Sequence, residues 1–181
     1  MPITIWFDLL LSYVNDTPDS ETYAYALQAF LNLGAKAVPE LTACLEPEEE
    51  PFSPNTVDTL GLSSRMWAAH VLGQLGAPAL PAVPALIRAL NDPARRTRLE
   101  VIEALGRLGD AQAVLPLIEQ IQDADPEVRA AVAEALGLLG DARAIPALES
   151  MQQHDRAVDV ERHPLKAIAT EALANINSSA G

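Results

Sequence analysis

Apolar residues recur along this chain in a helical rhythm that itself repeats. Residues 101–110 read VIEALGRLGD, 133–141 read AEALGLLGD and 68–76 read AAHVLGQLG, each followed closely by proline and a second apolar run. With Gly34, Gly76, Gly109 and Gly140 as register positions, the spacings are 42, 33 and 31 residues, and Asn177 holds the same place 37 residues later. Four positions before each register residue stand Phe30, Leu72, Leu105, Leu136 and Leu173; one position before stand Leu33, Leu75, Leu108, Leu139 and Ile176. Apolar residues three apart share a helix face, so these columns predict the buried ridge of one helix, B, in each unit. The partner runs, A, span 35–45, 79–90, 111–121 and 142–151 and carry Pro39, Pro84, Pro116 and Pro146 in their first or second turn, where a missing N–H is tolerated. The preceding glycine can adopt the left-handed conformation that ends the earlier helix. Residues 3–13 supply a first A helix. The pattern predicts an all-α solenoid of about five antiparallel hairpins in a superhelical stack, ten helices without a strand. Residues 1–181 form a single repeat domain, with 46–63 as an acidic insertion loop and 178–181 as a flexible tail. Gly73, Gly106 and Gly137 lower helix propensity but let neighbouring helices approach closely.

A second column is charged. Eleven positions before the register residues stand Tyr23, Arg65, Arg98, Arg129 and Lys166, a cation in four of five units. Residues 125–148, DPEVRAAVAEALGLLGDARAIPAL, resemble the HEAT-like repeat of the phycobilisome-lyase type, a similarity covering roughly residues 20–177 and strongest over 65–148. The resemblance implies a stacked-hairpin fold and says less of function, because such repeats serve bilin lyase subunits, hydroxylases and unrelated adaptors. It also implies that the arginine column pairs with aspartates ending the preceding A helices, Asp92 with Arg98 and Asp123 with Arg129. Arg65, Asp92, Arg98, Asp123, Arg129 and Lys166 are therefore expected to form a structural ladder.

Charge narrows the partners. The first 62 residues hold ten acids and only Lys36 as a base, a net −9 of the chain's −13. Duplex binding needs a cationic stripe to displace counterions, so nucleic acid is not the expected partner. Arg88, Arg95, Arg96 and Arg98 are a local exception, read as a solvated turn facing acids of neighbouring repeats. The lone Cys44 excludes an intramolecular disulfide and a paired-thiolate metal site. The start MPITIWFDLLLSYV lacks the cationic opening of a secretory signal, and no apolar run reaches the roughly twenty residues that span a bilayer. The expectation is a cytoplasmic protein without a membrane partner.

Catalytic signals are sparse. His70, His154 and His163 are not followed by glutamate, and no two share helical i,i+4 spacing. The His-Glu pairs of HEAT-like iron hydroxylases are thus missing, as are a phosphate loop and a nucleophile elbow. Glu100, Glu103 and Glu134 read as a solvated helix face before they read as an acid/base group. No catalytic residue, metal or cofactor is expected; the alternative cofactor is a bilin chromophore.

Binding is the better-supported function. The resemblance implies that B helices line the concave face, which places a stripe at thirteen, nine, six and two positions before each register residue. The stripe comprises Glu21, Tyr25, Gln28 and Asn32; Ser63, Trp67, His70 and Gln74; Arg96, Glu100, Glu103 and Arg107; and Glu127, Ala131, Glu134 and Leu138. Tyr25 and Trp67 are either groove anchors or packing between helices. Phe52 in the 46–63 insertion offers a second, loop-edge anchor, unless that segment is simply an acidic solubilising loop. Trp6, Phe7, Leu10 and Leu11 either cap the stack or meet a partner or second copy, giving a hetero-oligomer or homodimer. The leading reading is a non-catalytic scaffold or adaptor for another protein; the alternative is a bilin lyase or bilin-handling subunit acting on a phycobiliprotein.

Overall fold

The computed structural model describes residues 20–46, 64–157 and 163–179; the first predicted A helix, the 46–63 insertion beyond Glu46 and the side chain of Tyr25 lie outside the described residues. The helices are α1 Ser20–Leu33, α2 Val38–Cys44, α3 Ser64–Leu75, α4 Val83–Ala89, α5 Arg95–Leu108, α6 Val114–Gln120, α7 Pro126–Leu139, α8 Ile145–His154 and α9 Leu165–Ser179. No strand occurs among the described residues. The odd-numbered helices are the predicted B helices, and α3, α5, α7 and α9 pack side by side in that order. The even-numbered helices form the second layer behind them.

The A helices differ from the expectation in one respect. Each opens with a tighter 3-10 turn, Gly34–Ala37, Ala77–Ala82, Ala111–Ala113 or Ala142–Ala144, before the α-helix proper begins. Asp110 and Asp141 seed two of these turns, their carboxylates accepting the N–H of Gln112 and of Arg143. The α-helix then starts at a β-branched residue, with Pro39, Pro84 and Pro146 just inside it, where no donor is needed. At the other end of each unit the register glycines have φ of 55 to 70°, so the helix stops. Asn177 replaces glycine in the last unit, and α9 runs past it to Ser179.

The core follows the column four places before the register: Leu72, Leu105 and Leu136 are fully buried, as are Leu86, Leu117 and Leu148 of the A layer, while Leu173 of the last unit is half-buried. The column one place before holds as a buried ridge only at Ile176, 1% exposed inside a helix that continues to Ser179. Leu33 is 40% exposed and Leu75, Leu108 and Leu139 are half-buried, because the last helical residue sits beside the turn. Val101, Ile102, Val132 and Ala133, nearer mid-helix, complete the buried face.

Adjacent B helices touch through the small residues. A Cβ added at Gly73 would lie 2.9 Å from Ala104 Cα, at Gly106 3.1 Å from Ala135 Cα, and at Gly137 2.9 Å from Ala172 Cα. Each helix thus presents a glycine to the alanine of the next, and the close approach expected of these glycines is what sets the stacking.

Candidate partner-binding groove

The arginine column forms a ladder one repeat out of step with the expectation. Arg65 Nε lies 2.5 Å from Asp92 Oδ2, Arg98 Nε 3.3 Å from Asp123 Oδ2, and Arg129 Nε 2.7 Å from Asp155 Oδ2. Each carboxylate therefore comes from the end of the following A helix. With the preceding aspartate the arginine makes a backbone contact instead: Arg98 Nη1 donates to the carbonyl of Asp92 at 3.0 Å, and Arg129 Nη1 to that of Asp123 at 2.8 Å. The other carboxylate oxygen accepts an N–H two residues on, from Ala94, Asp125 or Ala157. Asp92 and Asp123, each seventeen residues before its register glycine, are the right aspartates, but across the six residues to the nearer arginine each turns its carbonyl, and not its carboxylate, toward the guanidinium. Asp155 escaped the sequence reading because the lengthened connection before α9 moved it off that spacing. Arg129 holds the Asp155 carboxyl below the usual carboxylate range. Lys166 occupies the same column, is exposed and has no ion pair among the described residues.

The arginine cluster faces acids, as expected of a solvated turn. Arg88 pairs with Glu46, Arg95 with Asp125 at 2.5 Å and with Glu127, and Arg96 is exposed.

The predicted stripe divides in two. Trp67 is only 9% exposed and meets His70 edge-on, ring centroids 5.8 Å apart. Packing between helices therefore accounts for Trp67, and it is not an exposed anchor. His70 Nδ1 lies 2.9 Å from Glu100 Oε2, joining α3 to α5. Gln74 is exposed, and Gln28 donates to Asn32 within α1. Tyr25 and Phe52 fall on side chains outside the described residues.

Further along, the stripe opens into a groove of about 890 Å3 across α5, α7 and α9. Glu100, Glu103, Arg107 and Glu134 are brought together here, with Glu127, Ala131 and Leu138 of the same stripe. The floor is small and apolar: Ala130, Ala131, Ala135, Ala167 and Ile168, with Leu138 standing 65% exposed above it. Five glutamates, Glu171 being the fifth, line the walls against one arginine, with His163 at the margin. Arg107 is engaged by Glu103 at 2.5 Å, one helical turn away. The sequence reading missed Ile168 and Glu171, although the nine- and six-residue offsets applied to Asn177 point to both. Among the described residues no group of His, Cys, Asp and Glu is placed to hold a metal ion, and no helix is long and apolar enough to cross a membrane.

The sequence of these stacked hairpins matches the HEAT repeats family over residues 63–120 and 83–174. The chain belongs to the HEAT repeat family. No curated protein sequence matches it. Among solved structures, a chain from the complex of CpcE and CpcF of phycocyanin lyase from Nostoc sp. PCC7120 aligns with a TM-score of 0.63 and 27% identity. The alignment covers 95% of this chain and 65% of that one, so this HEAT repeat protein spans less than two thirds of that relative. A designed armadillo repeat protein in complex with the peptide (KR)4 aligns with a TM-score of 0.56 and 20% identity, over 91% of this chain and 80% of the other. The second likeness concerns the fold alone. Both are structures of complexes in which a helical-repeat chain meets another polypeptide.

Proposed function

We propose that this HEAT repeat protein is a non-catalytic adaptor that holds a partner protein in the groove across α5, α7 and α9. The observation that carries the reading is Leu138. A leucine left 65% exposed above an alanine floor gains free energy on covering, about 25 cal/mol per Å2 of apolar surface. Its counterparts in the units on either side, Arg107 and Asn175, are polar. The surrounding carboxylates give such a seat orientation and selectivity more than raw affinity. Affinity capture from the native cells with tagged wild-type and Leu138→Lys/Ala131→Arg proteins tests this. A stoichiometric partner retained by the wild type and lost by the folded variant is the expected result; equal retention by both overturns the groove as the seat.

One observation favours a second reading, a bilin-handling subunit acting on a phycobiliprotein: the 27% likeness across 95% of this chain to a component of the CpcE and CpcF complex. The site supports it less well. Trp67 is buried, His70 is engaged by Glu100, and Arg65 and Arg107 already meet carboxylates, which leaves few groups for a pigment's rings and propionates. Visible absorption by the captured material, with a phycobiliprotein in it, is the outcome that would replace the adaptor reading.

A further inference from the structure

Building on the adaptor reading, we propose that the segment seated in the groove is a basic amphipathic α-helix of the partner. Its apolar ridge would rest on Leu138, Ala131 and Ile168, and its flanking lysines or arginines would meet Glu103, Glu134 and Glu171. Charge complementarity selects the sign: the walls carry five glutamates and one arginine, and although Glu103 meets Arg107, Glu127 meets Arg95 and Glu100 meets His70, the lining stays net negative. Cationic side chains add favourable pairing there, while an acidic segment meets repulsion from both sides.

The chemistry of the walls selects a helix over an extended strand. An extended peptide brings a bare N–H and C=O at every residue, and both must be satisfied as they leave water. Among the groove residues, carboxylates can accept from the N–H groups, but only Arg107 and His163 carry donors for the carbonyls, and no asparagine or glutamine is present. A helix satisfies its own backbone and asks only that its side chains fit. The alanines of the floor leave room for a ridge of larger apolar residues. Three side-by-side B helices at about 10 Å spacing present a span of about 20 to 30 Å. A helix rising about 1.5 Å per residue crosses it in roughly 14 to 20 residues.

The probe is a fluorescein-labelled 18-residue synthetic peptide of leucine and lysine arranged as an amphipathic helix, titrated with the full chain and followed by anisotropy. A second peptide of the same length and charge, with two central leucines replaced by proline, cannot form the continuous helix. Binding of the first peptide is expected to exceed that of the second by at least ten-fold. It should weaken by at least ten-fold in Glu103→Lys/Glu171→Lys and change less than two-fold in Glu119→Lys/Glu149→Lys, which alters net charge equally on the A helices α6 and α8. Leu138→Ser, with no change of charge, should also weaken it several-fold. Equal binding of both peptides, equal loss in both charge-reversed proteins, or no binding at all overturns the inference. These failures are separable from failure of the adaptor reading, since a natural partner lost on Leu138→Lys/Ala131→Arg would still show the groove occupied, by a segment of other chemistry.

Discussion

At the scale of single residues, the aspartates that end the A helices join one repeat to the next. Each accepts an arginine from the B helix before it and a backbone N–H just after it, so one carboxylate fixes both a turn and an interface. Charge-assisted hydrogen bonds of this kind contribute about 1.5–3 kcal/mol each when half-buried. Arg129→Met is accordingly expected to lose about 2 kcal/mol in urea unfolding, while Lys166→Met, at an exposed position of the same column, should stay within about 0.5 kcal/mol. A turn carboxylate and a ladder carboxylate also make stability depend on acid. Asp141 is held at about 2 by hydrogen bonds from the Arg143 side chain and backbone, and Asp155 is lowered mainly by Arg129. A carboxyl depressed on folding stabilises the fold above its unfolded value near 3.9 and ceases to do so as pH falls through the folded value. Stability should therefore fall between about pH 4 and pH 2, and less steeply in Asp155→Asn; parallel slopes for the two proteins would contradict the ladder's role. Asp92 and Asp123 were legible from their spacing to the register glycines, Asp155 was not, and their arginine partners were not. Which of two nearby arginines a carboxylate meets depends on the offset between stacked units, which a one-dimensional spacing does not contain.

Among elements, the seam between B helices sets the architecture. Gly137 faces Ala172 so closely that an added methyl would lie 2.9 Å from its backbone. Gly137→Ala gains about 1 kcal/mol of helix propensity, but forcing the helices apart costs about 1–3 kcal/mol. A net loss of melting temperature is expected. Ala174 sits at the equivalent place in α9 and is exposed, so Ala174→Gly should cost about 1 kcal/mol by propensity alone. Thermal unfolding of both proteins checks the pair, and a stabilised Gly137→Ala would sink the close-packed seam. The repeated glycines, prolines and leucines made the helices and their order readable from the sequence. The 3-10 openings of the A helices were not, because an alanine-rich first turn fits either geometry until an aspartate and the proline behind it tighten it. The burial of Trp67 was also hidden: its offset marks a direction around the helix, and not what the neighbouring elements cover.

At the scale of the molecule, charge and shape converge on one surface. Most of the net −13 lies in the first 62 residues, but in the groove across α5, α7 and α9 five carboxylates frame an apolar floor and one exposed leucine. Half of this site was legible, since Glu100, Glu103, Arg107, Glu134 and Leu138 follow from one projection of the B helices. The α9 wall was missed because the projection stopped at the fourth unit, although the offsets from Asn177 point to Ile168 and Glu171. Carbodiimide labelling of carboxylates, with the protein free and bound to its captured partner, tests the groove most directly. The account predicts that Glu103, Glu134 and Glu171 become protected on binding while Glu119 and Glu149 on the A helices label as before. Protection confined to Glu119 and Glu149, or to the acids of the 46–63 insertion, would contradict it and move the partner to another face of the stack.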